Sequence, residues 1–373
     1  MSSHGRDSVA FTLVVTLLAF LGAVAMVLVI LLSGAPKTLA AATLLAFLPV
    51  GPLVGCFLWL DRYEPEPRRL LAAGLAWGAF VATAAALVLQ GLGGFFGGFD
   101  DRDMLAGVAP LTEEATKGLF LLLLLWWRRG ELDGVLDGLV YAGMVGIGFA
   151  FVENILYLAA AYDGTDGLGP GGTEALTATF VVRCLVSPFA HPLFTAFIGI
   201  GVGVAVASRS KVVRVLAPVA GYVLAVLSHG LWNASALAGT GGFLAVYVTV
   251  MFPAFVAVVA FAVWLRRSER RMLARALDDV ARRGLLPVSD IRWLIDLGAR
   301  RAGRRHARQS GGEAAERAMR DYQQAAVELG FLHHRYLRGT PPPDYAARGQ
   351  LFVQRLQAAR PYVSFPGQVV PTR

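Results

Sequence analysis

Two adjacent carboxylates and an amine lie in an apolar part of the chain. Glu113, Glu114 and Lys117 are followed by an apolar run of only ten residues, 118–127, whereas a helix needs about 20 residues to cross a bilayer. A span through this region must therefore begin near Met104 and contain all three charges. Ionisable groups at that depth are costly and usually mark a functional site. A buried glutamate can act as a general base toward water, which is chemistry that hydrolysis needs.

Three later apolar segments also carry polar side chains. They hold Glu153 and Asn154, then Arg183 and His191, then His229 and Asn233. His229 and Asn233 are four residues apart and thus share one helical face. Two imidazoles with a carboxylate such as Glu153 are a usual ligand set for hydrolytic zinc, and an amide such as Asn233 can donate to an oxyanion. Interhelical hydrogen bonding is the alternative for each histidine.

Residues of one site must meet at one level of the membrane. At ~1.5 Å per residue, Glu113 lies roughly 14 Å from the outer end of its span, and Glu153 and His229 each lie roughly 10 Å from theirs. His191 reaches the same depth if its span starts near Arg183, with that arginine snorkelling to the interface. The agreement predicts a single site in the outer half of the bilayer.

The composition is that of a membrane protein. Hydrophobic residues make up 56% of the 373 residues, charged residues 16%, and the mean hydropathy is +0.57, which favours an all-α polytopic protein over a soluble one. Eight apolar stretches predict about eight transmembrane helices: 9–32, 39–60, 70–91, 104–127, 135–160, 180–206, 213–236 and 243–265.

Basic residues alternate between the loops. Eight of them lie in three loops, at Arg62, Arg68, Arg69, Arg128, Arg129, Arg209, Lys211 and Arg214, and the intervening loops hold only Lys37 and Arg102. Basic loops stay cytoplasmic. The pattern predicts a multi-pass protein of the plasma membrane with both termini in the cytoplasm.

The chain changes character after the last apolar stretch. We predict a transmembrane domain over 1–265 and an arginine-rich cytoplasmic helical tail over 266–373, which has 21 arginines, no lysine and 10 acidic residues. A small helical domain is the simplest interpretation, and binding to anionic membrane lipid is the alternative. Nucleic acid is not an expected partner, because no recognition motif accompanies the charge. His333 and His334 are expected on the solvated surface.

Together these motifs resemble the PrsW family of intramembrane proteases, relatives of the CAAX prenyl endopeptidase and Abi superfamily. The resemblance covers about residues 40–240 and rests on four patterns: E-E-x-x-K at Glu113, Glu114 and Lys117; F-x-x-x-E-N ending at Glu153 and Asn154; Arg183 with His191; and H-x-x-x-N at His229 and Asn233. It implies that Glu113 or Glu114 activates water, with Glu113 favoured. It also implies that His191 and His229 bind metal or polarise the scissile carbonyl, and that Asn233 supports the oxyanion.

The resemblance further implies a substrate and leaves the cofactor open. Family members are linked to bacterial stress signalling through cleavage of membrane-embedded anti-sigma factors outside the cytoplasm, so a single-span membrane protein is the expected substrate. Glu153 stands where the wider superfamily typically has histidine, which leaves zinc and metal-free, glutamate-driven hydrolysis both open. Two other functions also fit the residues: a proton-coupled transporter, since buried Glu and His form proton relays, and a non-catalytic scaffold acting through the basic tail.

Overall fold

The computed structural model describes residues 3–128, 130–165 and 170–367, a part of the chain that is helical and contains no strand. Arg129, one of the predicted cytoplasmic charges, lies outside these residues. The α-helices are α1 (Ser3–Leu32), α2 (Pro36–Phe47), α3 (Val50–Leu60), α4 (Arg68–Ala76), α5 (Thr83–Gly97), α6 (Asp101–Asp103), α7 (Ala109–Trp127), α8 (Val135–Asp163), α9 (Gly172–Phe180), α10 (Ala190–Ala207), α11 (Lys211–Leu237), α12 (Gly239–Val246), α13 (Phe252–Arg282), α14 (Ile291–Ile295), α15 (Leu297–Arg338) and α16 (Tyr345–Ala359).

Four π-helical turns lie within the described helices, and three of them continue directly into the next α-helix. The four turns are Trp77–Ala82, Met104–Val108, Val181–Val186 and Tyr247–Met251. Within the described residues, seven helical segments are long and apolar enough to cross a membrane: Val9–Leu32, Pro36–Leu60, Arg68–Gly97, Val135–Asp163, Gly172–Ala207, Lys211–Leu237 and Gly239–Arg282. The all-α polytopic fold is therefore confirmed. The remaining predicted span, 104–127, which is the fourth in chain order, is also a continuous helix and carries Glu113, Glu114 and Lys117 in its middle.

Helix α8 is the centre of the membrane-spanning unit, because it is buried along nearly its whole length. It packs against α10, α4, the π turn after α4, and α2. Glycines allow two of these contacts. A Cβ on Gly78 would lie 1.9 Å from the Val145 carbonyl oxygen, and a Cβ on Gly146 would lie 2.8 Å from the Cα of Pro192. Small residues at these crossings bring the start of α10 against α8.

The sixth predicted span differs from expectation at its start. Instead of beginning near Arg183, the helix begins at Gly172 and continues through the π turn to Val186. It then breaks at Ser187, whose φ is −128°, and resumes as α10 at Ala190. Pro188 lies in this break, where the chain cannot make the regular helical bonds. His191 consequently occupies the first turn of a new helix.

The chain divides into two compact units, residues 1–61 with 66–262, and residues 62–65 with 263–373. In the second unit, α15 is a hairpin of two helical arms, 297–310 and 313–338. The arms meet at Gly311 and Gly312, and the latter has a φ of +69° that suits glycine. Leu273, Leu277 and Tyr322 belong to the apolar core of this second unit. The predicted boundary at 265/266 stays a prediction.

One expectation for the tail is wrong. His333 is buried instead of solvated, and its Nε2 lies 2.6 Å from Oδ2 of Asp279. It lies on the arm of α15 that packs against α13, so its ring faces the tail's core and takes a carboxylate partner.

Candidate active site

The two adjacent glutamates share one lysine. Lys117 Nζ lies 2.8 Å from Oε1 of Glu114 and 3.4 Å from Oε2 of Glu113. All three side chains are buried. The ammonium also lies 3.7 Å from the centre of the Phe149 ring, in a cation–π contact with α8. The spacing along α7 places the three groups close together, and Lys117 offsets part of the cost of burying two carboxylates.

Glu114 holds His229 in place. Oε1 of Glu114 lies 3.0 Å from Nδ1 of His229, and Oε2 accepts a hydrogen bond from Thr195 Oγ1 at 3.2 Å. The His229 ring stacks on Phe194, with 4.6 Å between ring centres. Its Nε2 consequently points toward Glu113, whose Oε2 is 3.8 Å away. A carboxylate on one ring nitrogen is the usual way to fix an imidazole whose other nitrogen binds a metal or substrate.

His191 connects Lys117 to Glu153. Its Nδ1 lies 3.0 Å from Lys117 Nζ, and its Nε2 lies 2.6 Å from Oε2 of Glu153. Because a lysine ammonium can only donate, Nδ1 accepts and Nε2 carries the hydrogen that Glu153 receives. The rings of His191 and His229 face each other edge-on at 5.2 Å. All four motifs predicted from the sequence thus contribute to one cluster.

Arg183 is also part of the cluster, and its side chain is partly exposed. Its guanidinium pairs with Glu153, and its Nε donates to Oδ1 of Asn154 at 2.7 Å. The same group lies 3.9 Å from the centre of the Tyr157 ring. The prediction that Arg183 snorkels to the interface is therefore wrong: because the helix starts at Gly172, Arg183 lies three turns inside it and pairs with α8.

Asn233 has a different contact from the one expected. Its Nδ2 donates to the carbonyl oxygen of Leu105 at 2.8 Å, inside the π turn that precedes α7. Such a turn lacks regular α-helical bonds, so the amide satisfies a backbone acceptor there. Gly230 helps the two helices approach, since a Cβ at this position would lie 2.9 Å from the Ala106 carbonyl oxygen. The oxyanion role of Asn233 stays a prediction.

A cavity of about 250 Å³ opens beside the cluster. Its walls include Gln90, Leu105, Glu113, Phe149, Glu153 and Asn233. Glu113 and Glu153 both line it, whereas Glu114 is fully buried behind them. A water molecule or substrate entering the cavity would therefore meet Glu113 and Glu153 first.

Sequence reasoning missed two members of the cluster. Gln90 Nε2 lies 3.3 Å from Oε1 of Glu113, and Thr195 binds Glu114 as described above. A lone amide near the outer end of the third span was a usable signal for Gln90. Thr195 follows His191 by four residues and therefore shares its helical face.

The donors around Glu113 suit a divalent metal. Ligand atoms of Glu113, His191 and His229 all lie within 4.8 Å of one another. Two imidazoles and one carboxylate match the donor preference of zinc. Among the described residues, the cluster brings three carboxylates beside two cations, Lys117 and Arg183, and a divalent metal would offset this surplus of acidic groups.

This triad contains Glu113 where the sequence placed Glu153. The 2.6 Å between Glu153 Oε2 and His191 Nε2 is a direct hydrogen-bond distance, and two ligands of one zinc ion are about 3.3 Å apart. Glu153 as a ligand stays a prediction.

Part of the chain matches the profile of a known protein family. The profile of the PrsW family of intramembrane metalloproteases matches residues 66–258, just over half of the chain. The chain belongs to the PrsW family. Every cluster residue described above lies inside the matched range, while α1 and the tail lie outside it. The PrsW assignment supports an intramembrane protease and a multi-pass membrane protein; a PrsW-type metal centre is consistent with the triad.

Individual PrsW relatives show modest similarity. Protease PrsW of Geobacillus kaustophilus is 28% identical over 183 residues, covering 48% of this chain and 73% of the relative. That of Bacillus subtilis is 29% identical over 188 residues, covering 48% and 76%. That of Clostridioides difficile is 34% identical over 121 residues, covering 31% and 49%. No solved structure matches the chain.

Proposed function

We propose that this PrsW-family protein hydrolyses a peptide bond of a membrane-associated protein at the cluster around Glu113. One observation carries the proposal: Glu113 is a buried carboxylate that lines the cavity and is loosely held. Its partners Gln90 and Lys117 lie at 3.3 and 3.4 Å. Glu114, in contrast, has a 2.8 Å contact with Lys117 and a 3.0 Å contact with His229. Glu113 is thus the carboxylate better placed to accept a proton from water.

The surrounding residues have distinct roles in this proposal. Glu114 positions His229, so that Nε2 of that ring faces Glu113 and the reacting groups. The positive charge of Lys117 offsets part of the cost of burying the two glutamates, and its ammonium donates to His191. Glu153, held by Arg183 and His191, is the second carboxylate at the cavity. Asn233 and Asn154 hold the helices that carry these groups, the first through Leu105 and the second through Arg183.

A zinc ion would be held by Glu113 and His229, and by His191 once Nδ1 of that ring gives up its contact with Lys117. When bound, it would supply Lewis acidity to water or to the scissile carbonyl. Glu153 would then be the cavity carboxylate that accepts the proton. Without metal, Glu113 itself would take that role. The two schemes share the same residues and differ in their dependence on metal.

The position of the cavity favours attack from outside the cytoplasm. Gln90 and Leu105 flank the loop 98–100, and Tyr157 and Asn233 lie near the ends of α8 and α11 that lead to the other weakly basic loops. By the distribution of basic residues these loops are extracytoplasmic. We therefore propose a plasma-membrane protein with cytoplasmic termini and a single-span substrate such as an anti-sigma factor. Kinship with the CAAX and Abi proteases is part of the same proposal.

Reconstituted protein tests the proposal. The substrates are a panel of single-span anti-sigma factors from the same genome. Glu113→Gln should reduce their cleavage by about 10²- to 10⁴-fold. Asp103→Asn is the matched control, because it removes the same charge from an exposed position ten residues earlier in the chain. Equal cleavage by the two variants would contradict a role for Glu113.

Metal analysis separates the two schemes. If zinc is required, purified protein should contain about one equivalent, and His229→Ala and Glu113→Gln should both lose it, since each removes a ligand. Full activity in protein stripped of metal by a chelator would instead support hydrolysis driven by Glu113 alone.

A further inference from the structure

The cytoplasmic tail contains a groove lined mainly by arginines. Its volume is about 430 Å³, and its walls include Arg300, Arg304, Arg317, Arg320, Asp321 and Arg355. The two arms of the α15 hairpin supply all of these except Arg355, which comes from α16. Of the described residues in the wall, Asp321 alone is acidic, and it already pairs with Arg355. The groove therefore carries a surplus of positive charge.

Arg300 is the deepest of these arginines, and part of its guanidinium has no acceptor. The side chain is 6% exposed. Its Nε donates to the Leu294 carbonyl, and its Nη1 lies 3.5 Å from the Tyr63 carbonyl oxygen. None of the described residues accepts a hydrogen bond from its buried Nη2. Buried donors are nearly always paired, so this unpaired donor, on a residue that lines the groove, indicates a missing acceptor.

Arg304 adds a second guanidinium one turn along the same arm. Its Nε donates to Oε1 of Gln323 at 2.9 Å, and no carboxylate lies within ion-pair distance among the residues described. Burial, and then the neighbouring Arg304, lower the pKa of Arg300 to about 10. Burial, and then Arg320, lower the pKa of Arg304. Both shifts express the cost of holding like charges together in a partly dry groove, a cost that an anion would relieve.

We propose that this groove binds a phosphate group, with Arg300 and Arg304 as its main donors and Arg320 at its rim. Guanidinium groups match phosphate oxygens in a bidentate geometry. Arg320 is shared with Glu316 and so contributes less. The phosphate can belong to a soluble metabolite or to a lipid headgroup, and the two sources give different results below.

Phosphate binding is measured on the full chain in neutral detergent. Equilibrium dialysis with radiolabelled inorganic phosphate reports a soluble ligand, and native mass spectrometry with short-chain phosphatidic acid reports a lipid headgroup. Arg304→Ala should weaken binding of the active probe about tenfold or more, since it removes a charge-assisted contact. Arg305→Ala is the matched control, because Arg305 is the exposed neighbour of Arg304 and is not part of the groove wall. Circular dichroism of each variant verifies that the helices are intact.

The results decide between the sources or overturn the site. Saturable binding of inorganic phosphate, lost in Arg304→Ala, assigns a soluble ligand. Retention of phosphatidic acid alone, lost in the same variant, assigns a headgroup. If Arg304→Ala fails to fold, Arg320→Ala, at the exposed rim, should still weaken binding measurably. Binding of neither probe by the unmodified chain, or equal binding by the Arg304→Ala and Arg305→Ala variants, overturns the proposal.

Discussion

Buried positive charge is treated in opposite ways in the two units of the molecule. In the membrane-spanning unit, Lys117 and Arg183 each contact carboxylates, and the cluster has more acids than bases. In the tail, Arg300 and Arg304 have backbone and amide partners but no carboxylate in the described part of the chain. The first arrangement gives every buried cation a carboxylate partner. The second does not, which is why it indicates a ligand.

The largest effect is expected from removing the central cation of the cluster. Lys117→Met would leave Glu113 and Glu114 buried without their ammonium, and breaking such a buried pair costs about 3–5 kcal/mol. We expect a large fall in the thermal unfolding temperature in detergent. Lys211→Met, at the exposed start of α11, is the control and should change little. A Lys117→Met protein as stable as the control would show that the cluster is already neutral.

Replacing Arg183 should also lower the stability of the protein, but by less than replacing Lys117. Arg183→Gln would remove the cation that pairs with Glu153, but this guanidinium is partly exposed, so solvent screens the loss to about 2 kcal/mol. Thermal unfolding measured beside an Arg209→Gln control gives the difference, because Arg209 lies exposed in a loop. Cleavage should fall as well, since Glu153 and His191 would lose their fixed geometry. Unchanged stability and cleavage would reduce Arg183 to a surface charge.

Asp61 provides an intermediate case, a buried acid that forms no ion pair with the described residues. It follows the span that ends at Leu60, is 5% exposed and accepts the backbone N–H of Glu66 at 2.8 Å. Burial raises the pKa of Asp61 to about 7 in spite of that hydrogen bond, and Asp137 adds to the rise.

The folded state therefore keeps a proton on Asp61 that the unfolded state has lost above pH 4. Stability from this group should fall as pH rises, by about 1 kcal/mol between pH 6 and pH 8. Unfolding temperatures measured across that interval should vary less in Asp61→Asn. An unchanged pH profile in this variant would show that other groups control it.

The smallest effect is expected in the tail. Arg304→Gln removes a charge that repels its neighbours and has no carboxylate partner, while the new amide can still bind Gln323. The free energy of unfolding should change by less than about 0.5 kcal/mol in the absence of phosphate, or should rise slightly. Chemical denaturation without and with phosphate measures this. A loss as large as that for Lys117→Met would mean that Arg304 stabilises the tail through a partner of its own.

Because burying charged side chains in a membrane is costly, the sequence predicted which residues form the site. Charged groups inside apolar spans must meet one another, so comparing depths brought Glu113, Glu153 and His229 together. The depth assigned to His191 rested on a span start near Arg183, whereas the helix begins at Gly172. The sequence did not predict which side chains pair within the cluster, because the pairing depends on the rotation of each helix and on the break after Val186. That break, and the extension of the helix to Gly172, turned Arg183 inward. In the tail, the arginine count was visible, but the α15 hairpin that gathers Arg304 and Arg320 depends on one left-handed glycine.

The π turn Met104–Val108 sets the direction in which Glu113 projects from its helix. A π turn accommodates one residue more than an α-helical turn, and each residue rotates an α-helix by about 100°. Deleting Gly107 would allow regular α-helix through this region and would rotate Glu113 and Lys117 by about that angle relative to Leu105 and its bond to Asn233. The cluster and the cavity mouth are thus kept in register by a single inserted residue.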